Sequence, residues 1–530
     1  MPRIATLLIS LALVLAVASG CATHAASTAT AQSVIPDVFP SIPEVRAVNG
    51  VATLRLDALI DPATGSPQFS YEGTIGVAPT IRVSPGDTID LTLGNGFPFR
   101  QNQINAVNIH FHGLTVSPHA PADDTIMTLA HVGQVIHYRV KIPPEQEPGL
   151  YWYHPHSHGE SYREVTGGMS GAIVVEGLEK HIPALSTMKE RIIVLRDVAL
   201  QPGYVDEDSP RQPAAGASTA VRPRAANNGS PCRAESGLTP TLNRLPHANI
   251  GIEPGERQFF RVVNASAARH FDLSIDGSRL ELVAIDGVAL DAYPGSRPML
   301  GVRHIVIPPA GRAEFIVTGL GHRTVLRSAC FNSGSAGDAN PAVVLADLVD
   351  PRTIFGTPPA AADASAGAAS AAQLTEDIVA ASLPQEYHAP PWPATAARRT
   401  ITFTEDANGF YIDGKSFDMD APPSIVAHAG TMEEWTILNK TDEVHDFHIH
   451  QIHFAAERID GKTVREPHWQ DTIVVHPRGS VRLLMDFRDP IIRGTFLYHC
   501  HILDHEDQGM MENVRISLPD GQGGVMMAQH

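Results

Sequence analysis

Cysteine is scarce in this chain, with four in 530 residues, so each one has to be placed individually. Positive charge is short as well. Lys and Arg total 39 against 57 Asp and Glu, a net charge of −18. Such a balance argues against nucleic acid or an anionic membrane as partner, and is mildly compatible with cationic substrates. A long apolar run is missing: the one that follows Arg3 ends near Ala18 and is too short for a transmembrane helix. A twin-arginine pair is absent, because Arg3 stands alone. Methionine, 12 in all, forms no cluster before the C-terminal tail.

What is present begins with an export signal over residues 1–31: a basic residue, an apolar core, then small residues. Ala18-Ser19-Gly20-Cys21 is an imperfect lipoprotein box, which would anchor the chain to a membrane through Cys21. Ala29-Thr30-Ala31 offers ordinary cleavage instead. Either route predicts an exported, periplasmic or cell-envelope protein. An oxidising compartment permits a disulfide between Cys232 and Cys330, two unpaired thiols being the alternative.

The length suggests roughly three to four domains. With 43 glycines and 42 prolines the chain exceeds the average of about 7% and 5% and is rich in turns. Short alternating strands fill three blocks, at 45–178, 190–350 and 400–518. Pro210 to Cys232 reads as a long loop, 351–399 as an Ala- and Pro-rich linker with a short helix over Gln373 to Ser382, and 519–530 as a tail. Many short strands with frequent turns predict an all-β sandwich or barrel architecture. The blocks share a phrase: Val83-Ser-Pro-Gly-Asp-Thr-Ile, Ile252-Glu-Pro-Gly-Glu-Arg-Gln and Val426-Ala-His-Ala-Gly-Thr-Met each put a glycine turn before a strand ending in Asn95, Asn264 or Asn439. Three copies of one β-sandwich are expected.

Twenty-six histidines are unevenly spread. Four His-x-His pairs stand out: His110-Phe-His112, His154-Pro-His156, His448-Ile-His450 and His499-Cys-His501. On a strand, residues two apart share a face, so each pair should present both rings to one side. Eight imidazoles could hold three metal ions with positions open for a bridging small ligand. Cys500 points the other way. With His445, His505 and Met510 it offers one thiolate, two imidazoles and a weak thioether, the donor set of a blue-copper electron-transfer site. One cysteine among ten histidines suits copper better than the closed Cys and His tetrahedra of zinc.

These pieces resemble the three-domain, laccase-like multicopper oxidases: His110-Phe-His112-Gly113, Trp152-Tyr-His154-Pro-His156, His445-Asp-Phe-His448-Ile-His450, and His499-Cys500-His501 followed by His505 and Met510. Pro254-Gly-Glu-Arg-Gln-Phe-Phe-Arg-Val-Val-Asn-Ala-Ser extends the similarity into the middle block. The resemblance implies three cupredoxin-like Greek-key β-sandwich domains and four copper ions. His445, Cys500, His505 and Met510 would hold the type 1 copper. His110 and His448 would hold the type 2 copper; His112, His154, His156, His450, His499 and His501 the type 3 pair. The cluster would lie between domains one and three, with the middle domain a spacer. Electrons from a donor would cross Cys500 and its neighbours to the cluster, where dioxygen becomes water. Met510 should lower the type 1 potential relative to relatives with Leu or Phe there.

Oxygen reduction needs protons, and Glu506 is the first candidate for the relay. Asp123 is the second, fitting better than Asp124. Asp471 could orient a copper-bound histidine. His158, His453, His468 and His476 are expected at the surface or behind the ligands, and Trp152 and Trp435 in the core. Two donors fit the resemblance: a small phenol or aromatic amine, or a metal ion, Cu(I), Mn(II) or Fe(II). Copper-detoxifying relatives often carry a Met-rich insert, which this chain lacks, favouring the phenol. A non-enzymatic scaffold is disfavoured because no ligand is missing, and a nitrite reductase because a trinuclear set is present.

Overall fold

Val51–Ile60 alternates as a half-buried strand should: Ala52, Leu54, Leu56 and Ala58 point inward, Thr53 and Arg55 outward. The strand runs parallel to Thr88–Asn95. The same parallel pair recurs as Lys189–Val198 with Arg257–Asn264, and as Ala397–Asp406 with Thr431–Asn439. A computed structural model describes residues 39–101, 104–198, 232, 237–352 and 395–518. The export signal with Cys21, the 210–232 loop apart from Cys232, most of the linker with its expected helix, and the tail lie outside the described residues.

Each parallel pair belongs to one sheet of a two-sheet sandwich. Five- and five-stranded sheets make the first, seven- and five-stranded sheets the second and the third. Each sandwich encloses its own apolar core. The repeated phrase marks the same corner in all three. Asn95, Asn264 and Asn439 are buried. Each side-chain amide donates to backbone carbonyls of neighbouring segments: Ala130, Ile307 and Val475 respectively, at 2.8, 2.9 and 3.0 Å. Each Oδ1 accepts the backbone N–H two residues on, from Phe97, Ser266 and Thr441. Asparagine suits the end of such a strand because its short amide caps both the turn and the crossing segment.

Two five-stranded sheets carry the histidine motifs. In the first sandwich Gly149–His154 pairs with His110–His112, setting His154 opposite His110. In the third Gly494–Cys500 pairs with His445–Ile449, setting His499 opposite His448. Leu150, Tyr151, Trp152 and Tyr153 form a continuous apolar run because both faces are covered. Leu150 and Trp152 pack on Val194, Val263 and Ala265 of the middle sandwich, while Tyr151 and Tyr153 fill the first core.

Only His110–His112 keeps both rings of its pair within a strand. His156, His450 and His501 lie just beyond the ends of theirs. Pro155 explains the first break, since it cannot donate to the ladder. Two short helices were not expected, Ser161–Gly167 and Leu503–Asp507. Asp507 ties them together by accepting N–H bonds from Gly159, Ser161 and Tyr162 at 2.9, 3.2 and 2.8 Å, which joins the first sandwich to the third. Cys232 and Cys330 form a disulfide with Cα atoms 5.5 Å apart, closing the alternative left by the sequence.

Candidate metal centres

Cys500 ends the strand Gly494–Cys500 and turns into the third core, where it is fully buried. Its sulfur lies 3.5 Å from His445 Nδ1 and 3.6 Å from His505 Nδ1, and these nitrogens are 3.0 Å apart. One ion with bonds of about 2.0–2.3 Å can reach all three. Met510 is buried in the same core, and its N–H donates to the His505 carbonyl at 2.9 Å. Burial, with Asp446 adding, pushes the Cys500 thiol well above its ordinary value, so a cation must compensate the thiolate. The other faces of the two imidazoles are fixed. Thr441 Oγ1 is 3.0 Å from His445 Nε2, Glu443 Oε1 is 3.5 Å from His505 Nε2, and Phe410 stacks on His505 at 4.1 Å.

Opposite Cys500 the eight remaining histidines converge between the first and third sandwiches, all buried. Nε2 of His499 is 3.3 Å from Nε2 of His156 and 3.2 Å from Nε2 of His450. His110 stacks on His450 at 3.8 Å and His112 on His448 at 4.0 Å. One ring nitrogen of most of these residues is anchored to protein. His110 Nδ1 donates to Asp123 at 2.9 Å, His112 Nε2 to Asp471 at 3.2 Å and His154 Nδ1 to the Pro155 carbonyl at 2.8 Å. His448 Nδ1 and His499 Nδ1 donate to the carbonyls of Asp471 and Cys500.

The opposite nitrogens, His110 Nε2, His112 Nδ1, His154 Nε2 and His448 Nε2, have no partner, nor does either nitrogen of His501. Leaving a buried polar atom bare costs about 1–3 kcal/mol. Anchored on one side and bare on the other is the arrangement of metal-binding imidazoles. Burial, reinforced by neighbouring rings, holds His112, His154, His156, His448, His450 and His501 well below the usual imidazole value. They are therefore neutral, the form that binds metal. The residues present fit resident metal ions at both places.

Both expected acids lie at the cluster. Asp123 also accepts from Phe111 N–H at 2.9 Å and, across the interface, from Gln451 at 2.5 Å. Glu506 is 3.1 Å from His499 Nδ1 and 3.6 Å from His156 Nε2, and neither of its oxygens has a hydrogen-bond partner. Asp124 instead turns outward to cap its own loop through Met127 N–H and Thr128. Asp471 does orient His112, and its carbonyl orients His448.

The middle sandwich, expected as a spacer, brings side chains up behind the site. Its buried Arg312 donates to Asp471 twice, at 2.7 and 2.5 Å. Burial works against the guanidinium charge, but Asp471 and Asp286 more than offset it and hold the group protonated. Asp286 accepts the backbone N–H groups of Arg312, Asp471 and Thr472. His270, also from the middle sandwich, is 3.0 Å from Asp446, between the two centres. Arg312, Asp286 and His270 carry no motif that links them to the site. Asp446 and Gln451 do lie inside or beside one, and that adjacency was the available signal.

His158 sits 5.7 Å from His156, and burial pushes it down to about 4. His453 touches the Asp286 carbonyl, His468 the Glu466 carbonyl, and His476 pairs with Asp460. Trp152 is buried but stacks on His154 at 4.1 Å, so it packs the cluster as well as the core. Trp435 lies in the third core.

Profiles described as multicopper oxidase match residues 63–180, 211–323 and 390–519. Among curated proteins, a multicopper oxidase of Staphylococcus aureus is 22% identical over 466 residues, 85% of this chain and 84% of that one. A laccase of Bacillus subtilis is 25% identical over 420 residues, 73% of each chain. Among solved structures, a multicopper oxidase from Campylobacter jejuni described as a metallo-oxidase superposes with a TM-score of 0.65 at 23% identity, covering 92% of this chain and 98% of its own. A laccase-like oxidase from Ochrobactrum sp., active towards lignin model compounds, gives 0.63 at 22% identity, covering 90% and 100%.

Proposed function

This chain belongs to the multicopper oxidase family, and from that premise we propose that it is a laccase-like enzyme that oxidises small phenolic and aromatic donors and passes their electrons to dioxygen. Four copper ions, one at Cys500 and three among the eight histidines, would supply one-electron oxidation at the first site and four-electron reduction of dioxygen to water at the second. His445, Cys500, His505 and Met510 are the residues for the type 1 ion. His110 and His448 serve the type 2 ion, and His112, His154, His156, His450, His499 and His501 the type 3 pair. The observation that carries the reading is the strand end His499-Cys500-His501, whose cysteine faces one donor set and whose histidines face the other.

The remaining work falls to the chain's own groups. Asp123 and Asp471 fix ring orientation, so no reorganisation is needed at the cluster. Glu506, buried against the imidazoles of His499 and His156 with neither oxygen hydrogen-bonded, is the group that would hand protons to reduced oxygen. Asp123 would serve beside His110.

A second reading has its own observation. Buried Glu443 beside His505 Nε2 would favour a cationic donor, Cu(I), Mn(II) or Fe(II). The shortage of methionine speaks for the phenol. Oxygen uptake by the copper-loaded protein, with a dimethoxyphenol and Cu(I) offered separately, decides. Fast uptake on the phenol supports the first reading, and uptake on Cu(I) alone replaces it with the second. Export belongs to the same proposal, supported by the signal-like residues 1–31 and by a disulfide suited to an oxidising compartment. The mass of the mature chain, with or without lipid on Cys21, tests it.

A further inference from the structure

The middle sandwich grips the strand that brings His445 to Cys500. Gly334 bridges to Glu443, the Val444 N–H donates to the Ser333 carbonyl at 2.8 Å, and His270 Nε2 lies 3.0 Å from Asp446 Oδ1. His270 and Asp446 are both buried. His270 is itself held from two sides. Phe331 stacks on it at 4.2 Å with the rings 2° from parallel, and its backbone N–H donates to Asn340 Oδ1 at 2.9 Å. The Phe331 N–H in turn donates to the Asn340 carbonyl at 3.1 Å, closing a rigid seat directly after Cys330.

Asp446 passes that grip to both centres. Its N–H donates to Cys500 Sγ at 3.5 Å, and its carbonyl accepts the His501 N–H at 2.7 Å. A hydrogen bond to a ligand sulfur draws electron density off it. The sulfur then gives less to the metal, and the reduced ion is favoured. We propose that His270 is a positioning residue of the middle sandwich that fixes Asp446 so that its N–H meets the Cys500 sulfur, and that it thereby raises the reduction potential of the type 1 copper. The proposal rests on the copper-oxidase reading above, and extends it by giving the middle sandwich a part in electron transfer.

Two variants separate hydrogen bonding from packing. His270→Phe keeps an aromatic ring against Phe331 and loses the donor, whereas His270→Gln keeps a donor and loses the ring. Each is loaded with copper, and the type 1 potential is read by redox titration of the visible band, with the copper–sulfur stretch followed by resonance Raman. The phenylalanine variant should show a lower potential, a shifted stretch and turnover on a phenol down about tenfold. The glutamine variant should stay near the wild type. Unchanged potential and stretch in the phenylalanine variant would overturn the proposal, as would an equal fall in both variants, which would mean packing alone matters. If the copper-loaded wild type shows no blue band, the copper-oxidase reading fails as well. A blue wild type with unshifted variants sinks only the role of His270.

Discussion

The two faces of the strand end His499-Cys500-His501 are built from different materials. The Cys500 face takes all its donors, His445, Cys500, His505 and Met510, from one sandwich, with Phe410 stacked on His505, and the middle sandwich only backs it through Phe331 and His270. The histidine face lies between two sandwiches, takes rings from both, and is backed by Asp123, Asp471 and Glu506. A donor set drawn from one sandwich, with the thiolate in an apolar core, suits the movement of electrons. An interfacial site backed by buried acids on its rings suits the movement of protons as well, as the proposed reduction of dioxygen would require. That division predicts which substitutions damage which half.

Cys500→Ser breaks the division most severely. It should abolish the blue absorption and all turnover, while copper analysis still finds metal among the histidines; a variant that retained turnover would contradict the roles assigned here. Glu506→Gln should slow turnover by about 10²–10⁴ and leave the blue band unmoved, the loss expected of a proton donor. An undiminished rate would remove Glu506 from the relay. Arg312→Leu strands the buried Asp471 carboxylate, at a cost of about 3–5 kcal/mol in urea unfolding. It should weaken copper retention among the histidines before that at Cys500. Met510→Leu is the mildest. It nearly conserves volume, so stability should change by less than about 1.5 kcal/mol, while redox titration should find the type 1 potential raised.

Acid should also separate the two faces. In the copper-free protein the cluster imidazoles are held well below their unfolded value of about 6.5. Below that pH the unfolded chain binds more protons than the folded one, so stability falls as pH drops. Denaturant midpoints of copper-free protein at pH 7 and pH 5 should show the fall, and copper should enlarge it by competing with protons for the same nitrogens. A flat profile would mean that the rings are not buried as described.

How much of this was legible depended on sequence distance. The proposed ligands announce themselves because positions close in sequence reach the same donor set or the one on the opposite face, so the chemistry compresses into His-x-His and His-Cys-His. The strand-end Asn95, Asn264 and Asn439 were readable for the same reason, each capping a turn two residues on. Arg312 and His270 were invisible. Their partners Asp471 and Asp446 lie in another sandwich, and nothing near either residue encodes that meeting. The helices Ser161–Gly167 and Leu503–Asp507 escaped because they are too short to show a helical period. The expectation that every histidine pair rides within a strand held for His110 and His112 but not for the other three, whose second members lie just past a strand end.

The measurement closest to the central claim is anomalous diffraction at the copper edge from crystals of the copper-loaded protein. The account predicts one isolated peak among Cys500, His445 and His505, and a separate group of three among the eight imidazoles. A peak at only one of the two places, or copper bound away from both, would contradict it.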